Sequence, residues 1–239
     1  MNYSTILHIH TMIGAVVLTS FWITAFSKKG GRVHRFSGKV YLVGILIIIV
    51  SVIPMIVLAL QQNNNKQAIG LAFLSVMTFV AGWIAFHAIA RKRDIETYRN
   101  RTFQVLALVL SAFGLLILVL NIIHWSFLYA FFASTGLTLA GSMWWIIVKK
   151  DVRPGWHLAQ HLNGVALLFA ATHGSFLRFG LTKLIPVIPD SQEFNTFAQT
   201  SVILLALLLR FTVGRLYIRK FFPKMSKPEP RYLGSQVPR

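Results

Sequence analysis

The chain has no cysteine and only six acidic residues among its 239. The first absence excludes disulfides, iron–sulfur clusters and covalently attached c-type haem. The second is sharpened by position. Asp94, Glu96, Asp151, Asp190, Glu193 and Glu229 all fall between or beyond the apolar runs. With no carboxylate inside a run, the sequence argues against a proton or cation pump built on buried acids. It argues equally against a hydrolase with an intramembrane Asp or Glu as general base. Charged residues of both signs make up 13% of the chain, about half the usual share in soluble domains.

What is abundant is apolar: 55% of residues are hydrophobic. Roughly 20 consecutive apolar residues are needed to cross a hydrocarbon core about 30 Å thick, and seven runs of about that length are present. They lie near residues 5–26, 40–60, 68–90, 103–122, 127–148, 157–177 and 198–218. Backbone groups in lipid must be satisfied internally, and these runs are too long for barrel strands. The expected fold is all-α: a polytopic transmembrane helical bundle of seven spans over residues 1–222. A polar, proline-rich tail over 223–239 is expected to be disordered. No Lys or Arg precedes the first run, so "MNYSTILHIH" lacks a signal-peptide n-region and reads as the start of span one.

A net charge of +18 would point to nucleic acid in a soluble protein. Here the six connections and the segment from Arg210 onward carry 5, 1, 5, 0, 3, 2 and 8 basic residues in order. Basic loops face the cytoplasm, so the alternation puts the N-terminus outside and the C-terminus in the cytoplasm. The lipid bilayer, with its anionic headgroups, is the implied partner, and no nucleic acid is needed. Short loops of this kind fit a bacterial inner (cytoplasmic) membrane. The glycines within the spans, Gly14, Gly44, Gly70, Gly82, Gly114, Gly136, Gly141 and Gly164, are expected to serve helix packing. Pro54 is expected to kink the second span, and the long connection after Gly180 to form an outer lid.

Two stretches carry a likeness to known proteins. The spacing of His10, Gly14, Gly31, His34, Arg35, Gly38 and Tyr41 resembles the opening of the predicted bacterial membrane protein family called domain of unknown function 2306. "RDIETYRNRTFQVLAL" is similar to that family's second signature, although Tyr98 stands where a His is expected. The resemblance covers the first four spans and implies architecture, not activity.

Histidine is the main ionisable residue at depth, with Arg210 near the end of span seven. Topology sorts the imidazoles into two levels. His87, His157 and His161 share the inner one; His8, His10, His124 and His173 share the outer one. The twelve residues from His161 to His173 separate the levels by roughly 18 Å. Neutral imidazole is a normal axial ligand of haem iron. One reading is therefore a b-type haem held by His87 and His161, with a second held by His10 and His173. Such a protein would carry electrons across the membrane to or from quinone or another redox partner, an architectural likeness to cytochrome b561-like proteins. Arg153, Arg178 and Arg210 would suit haem propionates. Geometry raises one objection, since twelve residues rotate His173 by roughly 120° from His161.

Two other readings stay open. His157 and His161 lie one turn apart, and with His87 they form a candidate three-His zinc site, similar to the membrane hydrolases that include adiponectin receptors and alkaline ceramidases. The third class is non-enzymatic, a small-molecule carrier or an accessory membrane subunit. The tryptophans sit mostly toward span ends, where an aromatic belt accounts for them, and His34 in its basic loop reads as structural.

Overall fold

A computed structural model describes residues 3–124, 127–181, 185 and 191–221. All of the regular structure there is helical. Among the described residues there are seven long helices: α1 (Tyr3–Phe26), α2 (Arg32–Gln61), α3 (Asn65–Ala90), α5 (Arg101–His124), α6 (Phe127–Val148), α7 (Trp156–Ser175) and α8 (Gln192–Phe221). A single-turn helix, α4 (Ile95–Tyr98), lies between α3 and α5. Six of them, α1, α2, α3, α5, α6 and α8, are long and apolar enough to cross a membrane. The protein is thus a multi-pass, all-helical membrane protein. α7 is of comparable length but falls short in apolar character, because Gln160, His161, Asn163 and two further histidines interrupt it.

Consecutive long helices run antiparallel, as short loops require. His10 meets Ser51 at one end of the α1–α2 pair, and Thr24 meets Ser37 at the other. Loops 27–31, 91–100 and 149–155 therefore gather at one end, the basic end, with most of the lysines and arginines. The core runs from α1 and α2 through α3 to α7, and α5 and α6 pack as a pair on its flank. Large apolar side chains left exposed, among them Met12, Phe36, Val50, Leu108, Ile122 and Leu208, clothe the outside of the bundle. In water such a surface would aggregate; in lipid it is the expected solvent-facing layer.

Glycines set the closest approaches. A Cβ on Gly164 would lie 2.5 Å from Ala81 O and 2.8 Å from Ala85 N, so α7 rests directly on the backbone of α3. Gly44 receives Val17, Gly114 receives Leu137, and Gly136 receives Phe73. Gly14, Gly70 and Gly141 face no close neighbour, so the packing expectation does not hold for them. α2 continues as helix through Pro54. The expected outer lid lies partly outside the described residues, its second half from Gln192 being the first turns of α8, and the tail over 223–239 lies entirely outside them.

Candidate functional site on helix α7

The polar helix occupies the centre of the bundle. α7 packs on α3 and α8 and reaches α1, so side chains that would be costly in lipid are sheltered by protein. Its heptad-like faces divide the work. His161 and Gly164 turn to α3; Ala159 O, Asn163 and Ala170 meet α8; Phe169 and His173 meet α1.

His161 joins α7 to α3 by donating Nδ1–H to Ala85 O at 2.7 Å. A carbonyl only accepts, so the neutral ring keeps its lone pair on Nε2. It also lies within electrostatic reach of His34, His157 and Lys29. Beside it, Gln160 is buried, and its Oε1 has no partner among the described residues. Further along, His173 donates Nδ1–H to Phe169 O at 3.1 Å, stacks on the Phe169 ring at 4.2 Å and meets Phe21 and Trp22 of α1 edge-on. Its buried Nε2 has no partner among the described residues. Immediately after, Phe176–Gly180 form a π-helical turn, an irregularity that recurs at functional sites.

The histidine pairs expected from the sequence are not brought together. His87 stacks on Trp83 at 4.1 Å and bonds to Trp83 O at 3.0 Å. It sits two residues past Ala85, which turns it roughly 200° away from the side of α3 that His161 touches. A bis-His haem must fit two imidazoles and the macrocycle between the helices that carry them, yet at Gly164 the two backbones are in contact. A haem between His87 and His161 does not fit this seam. Nor does the three-His zinc set assemble, since no group of three or more His, Asp or Glu suited to a metal ion occurs among the described residues.

At the other level the separation is axial. His10 is held by Ser51 at 2.8 Å, and Ser51 already donates to Ile48 O, so His10 is the donor. His173 instead sits against Phe21 and Trp22, and Phe21 is about 16 Å along α1 from His10 at 1.5 Å per residue. The two imidazoles therefore differ in height and do not face one another. His8 is exposed, and the side chain of His124 lies outside the described residues.

The basic end contains an interaction set that motif spacing alone does not show. Asp94 caps α4 by accepting from the N–H groups of Glu96 and Thr97 and from the Thr97 hydroxyl. Arg91 donates to Thr97 O. Arg99 pairs with Glu96 and reaches across to Lys149 O and Ile146 O at the end of α6. Asn100 caps α5 through Phe103 N–H. Tyr98, fully buried, packs against Trp83, Phe103 and Trp156, linking α3, α5 and α7. Burial pushes its phenol well above the ordinary value. The two carboxyls are held below theirs, Asp94 chiefly by the Thr97 hydroxyl and Glu96 chiefly by Arg99. His34 and Lys29 both donate to Thr24 O, the last turn of α1, where cations complement a helix C-terminus.

The chain matches no family model, no curated protein and no solved structure.

Proposed function

We propose that the protein is a small-molecule carrier or accessory subunit of the bacterial inner membrane, organised around α7 as a seventh span, with its N-terminus outside and its C-terminus in the cytoplasm. The observation that carries this reading is α7 itself. It is too polar to face lipid, it is enclosed by α1, α3 and α8, and it holds buried polar atoms with no partner among the described residues, Gln160 Oε1 and His173 Nε2. Polar side chains kept inside a membrane bundle mark pathways and binding sites. The dispersed histidines act as ties between helices or within a turn, which suits a binding framework better than a redox relay.

A second reading keeps a b-type haem in view. It is favoured by the tautomer of His161, whose Nδ1–H is committed to Ala85 O and whose Nε2 is the ligand nitrogen an axial site needs. Its second ligand would have to come from an element other than α3. The likeness to cytochrome b561-like proteins and to the family named above supports only the architecture.

Absorption spectra of the purified protein, oxidised and dithionite-reduced, with metal analysis, separate these readings. The carrier or accessory reading expects a colourless protein without stoichiometric zinc. Split α and β bands on reduction that disappear in His161→Ala would overturn it in favour of haem, and one zinc per chain lost in His157→Ala would overturn it in favour of hydrolysis. Reporter fusions at residues 64 and 96 test the topology: they should report opposite sides, and a common side would refute the orientation.

A further inference from the structure

Arg210 lies in the run "LLALLLRFTVG" of α8 and is half-buried against α7. Its guanidinium does not extend freely into solvent. Nε donates to Asn163 Oδ1 at 2.5 Å, and Nη2 reaches Ala159 O at 3.4 Å. Both acceptors are neutral. Among the described residues no carboxylate pairs with it, and Glu193, the acid of its own helix, is about 25 Å away along the axis. A guanidinium has five N–H donors, so several remain for another acceptor. A full positive charge is thus held in place by neutral groups, an arrangement that favours an external anion.

The surroundings indicate which kind. Nη1 lies where a side chain on Gly214 would be, 2.4 Å from the position of its Cβ. The glycine one turn toward the basic end therefore gives the guanidinium a shelf on its own helix. Deeper into the membrane from Arg210 run the exposed apolar side chains of Leu207 and Leu204, and exposed Phe211 sits beside it toward the basic end. Asn163 is about 10 Å inside the start of α7, one to two turns below the basic loops. A cation at that depth above an apolar stripe matches a molecule with an anionic head and a hydrocarbon tail. A free anion would use the charge but leave the stripe unexplained.

We propose that the α7–α8 seam at Arg210 binds the phosphate of an anionic phospholipid, with an acyl chain along Leu204 and Leu207. Basic recesses between helices at the positively charged side of a bundle recognise lipid headgroups in this way. The site is independent of whether α7 serves a carrier.

The test uses the full chain in detergent, titrated with phosphatidylglycerol, with phosphatidylcholine and with inorganic phosphate, read by native mass spectrometry and thermal unfolding. Phosphatidylglycerol should be retained and raise the melting temperature more than phosphatidylcholine does. In Arg210→Gln its binding should weaken roughly tenfold or more, the loss expected for a charge-assisted contact, while Arg210→Lys should fall between. Arg215→Gln, an exposed arginine at the same end, should leave binding unchanged. Gly214→Ala provides a second variant should Arg210→Gln fail to fold: it keeps the charge but displaces Nη1, and should also weaken retention. Equal retention of phosphatidylglycerol in wild type, Arg210→Gln and Gly214→Ala would overturn the proposal. Stabilisation by inorganic phosphate to the same extent as by phosphatidylglycerol would reassign the site to a free anion.

Discussion

The connection from Arg91 to Gln104 and the helix α7 are both polar stretches in an apolar protein, and they are put together in opposite ways. In the connection, polar groups close on one another: Asp94 caps α4, Arg91 bonds to Thr97 O, Arg99 ties to Glu96 and to the end of α6, Asn100 caps α5, and Gln104 bonds to Arg99 O. On α7 the polar groups are only partly matched. His161 has one nitrogen engaged, and among the described residues Gln160 Oε1 and His173 Nε2 have no partner and the guanidinium held by Asn163 has no counter-ion. A self-satisfied network rigidifies the end of a bundle, whereas unmatched buried polar atoms indicate a site for something else. The stretch with the more conspicuous motif is thus scaffold, and the less conspicuous helix carries the candidate site.

That contrast is most directly broken at Tyr98, the plug of the connection. Replacing Tyr98 with Ala empties a fully buried position between Trp83, Phe103 and Trp156. Truncating a buried aromatic costs about 3–5 kcal/mol, so Tyr98→Ala should produce the largest loss of thermal stability in detergent. Tyr98→Phe should be close to neutral, because the hydroxyl has no hydrogen-bond partner. If Tyr98→Ala melts with wild type, the connection is not the clamp it resembles.

The next effect is on the other side of the comparison. Gly164→Ala sets a methyl against the backbone of Ala81 and Ala85, atoms that cannot rotate aside. Overpacking of this kind costs about 1–3 kcal/mol, and the variant should separate α7 from α3. Gly141→Ala, at a position with no close neighbour, serves as control and should be tolerated. Equal stability of the two variants would mean that α7 is not seated on α3 as described.

A smaller change is expected at His161. His161→Phe keeps a ring but removes the bond to Ala85 O, and a net contribution of about 0.5–1.5 kcal/mol is expected for such a bond. His87→Phe removes a bond that stays within α3, so it should leave the α3–α7 contact intact. Cysteine cross-linking between α3 and α7 in the two backgrounds would distinguish a tie between helices from a local one.

The helices themselves were legible because long apolar runs leave lipid no other structure. The depth of the histidines was legible only helix by helix. Periodicity gives the angle of His161 relative to Gly164, but not that Gly164 would seat on α3 at Ala81 and Ala85, which fixes the partner of His161 as Ala85 O. It cannot show that His87, two residues on, then points elsewhere. Placing His173 at the level of His10 requires the start of α1 and the end of α7 to lie at matching heights. In the structure Phe21, near the basic end of α1, meets His173, so α7 is offset toward the basic end. Side-chain spacing along one helix carries no record of axial offset between two. Arg210 illustrates the same limit: its charge was visible in the sequence, but the neutral cradle formed by Asn163 and Ala159 O was not.

The smallest effect concerns the charge on Asp94, and it probes the connection without dismantling it. The Thr97 hydroxyl and N–H, followed by the Glu96 N–H, hold this carboxyl below its ordinary value in the folded protein. A group with a folded pKa below its unfolded one contributes fully above the unfolded value, about 3.9. That contribution declines as pH falls through the folded value, because the unfolded chain takes up the proton first. Asp94→Asn retains an oxygen that can accept from the two backbone N–H groups but carries no charge. The wild type should therefore melt slightly above Asp94→Asn near neutral pH, and the gap should hold down to about pH 5 and then narrow as the pH falls below about 4. Glu96, whose carboxyl is lowered mainly by Arg99, titrates in both proteins and largely cancels in the difference. A gap that stays constant across this range would show that the cap depends on the oxygen acceptor and not on its charge, leaving the rest of the connection as described.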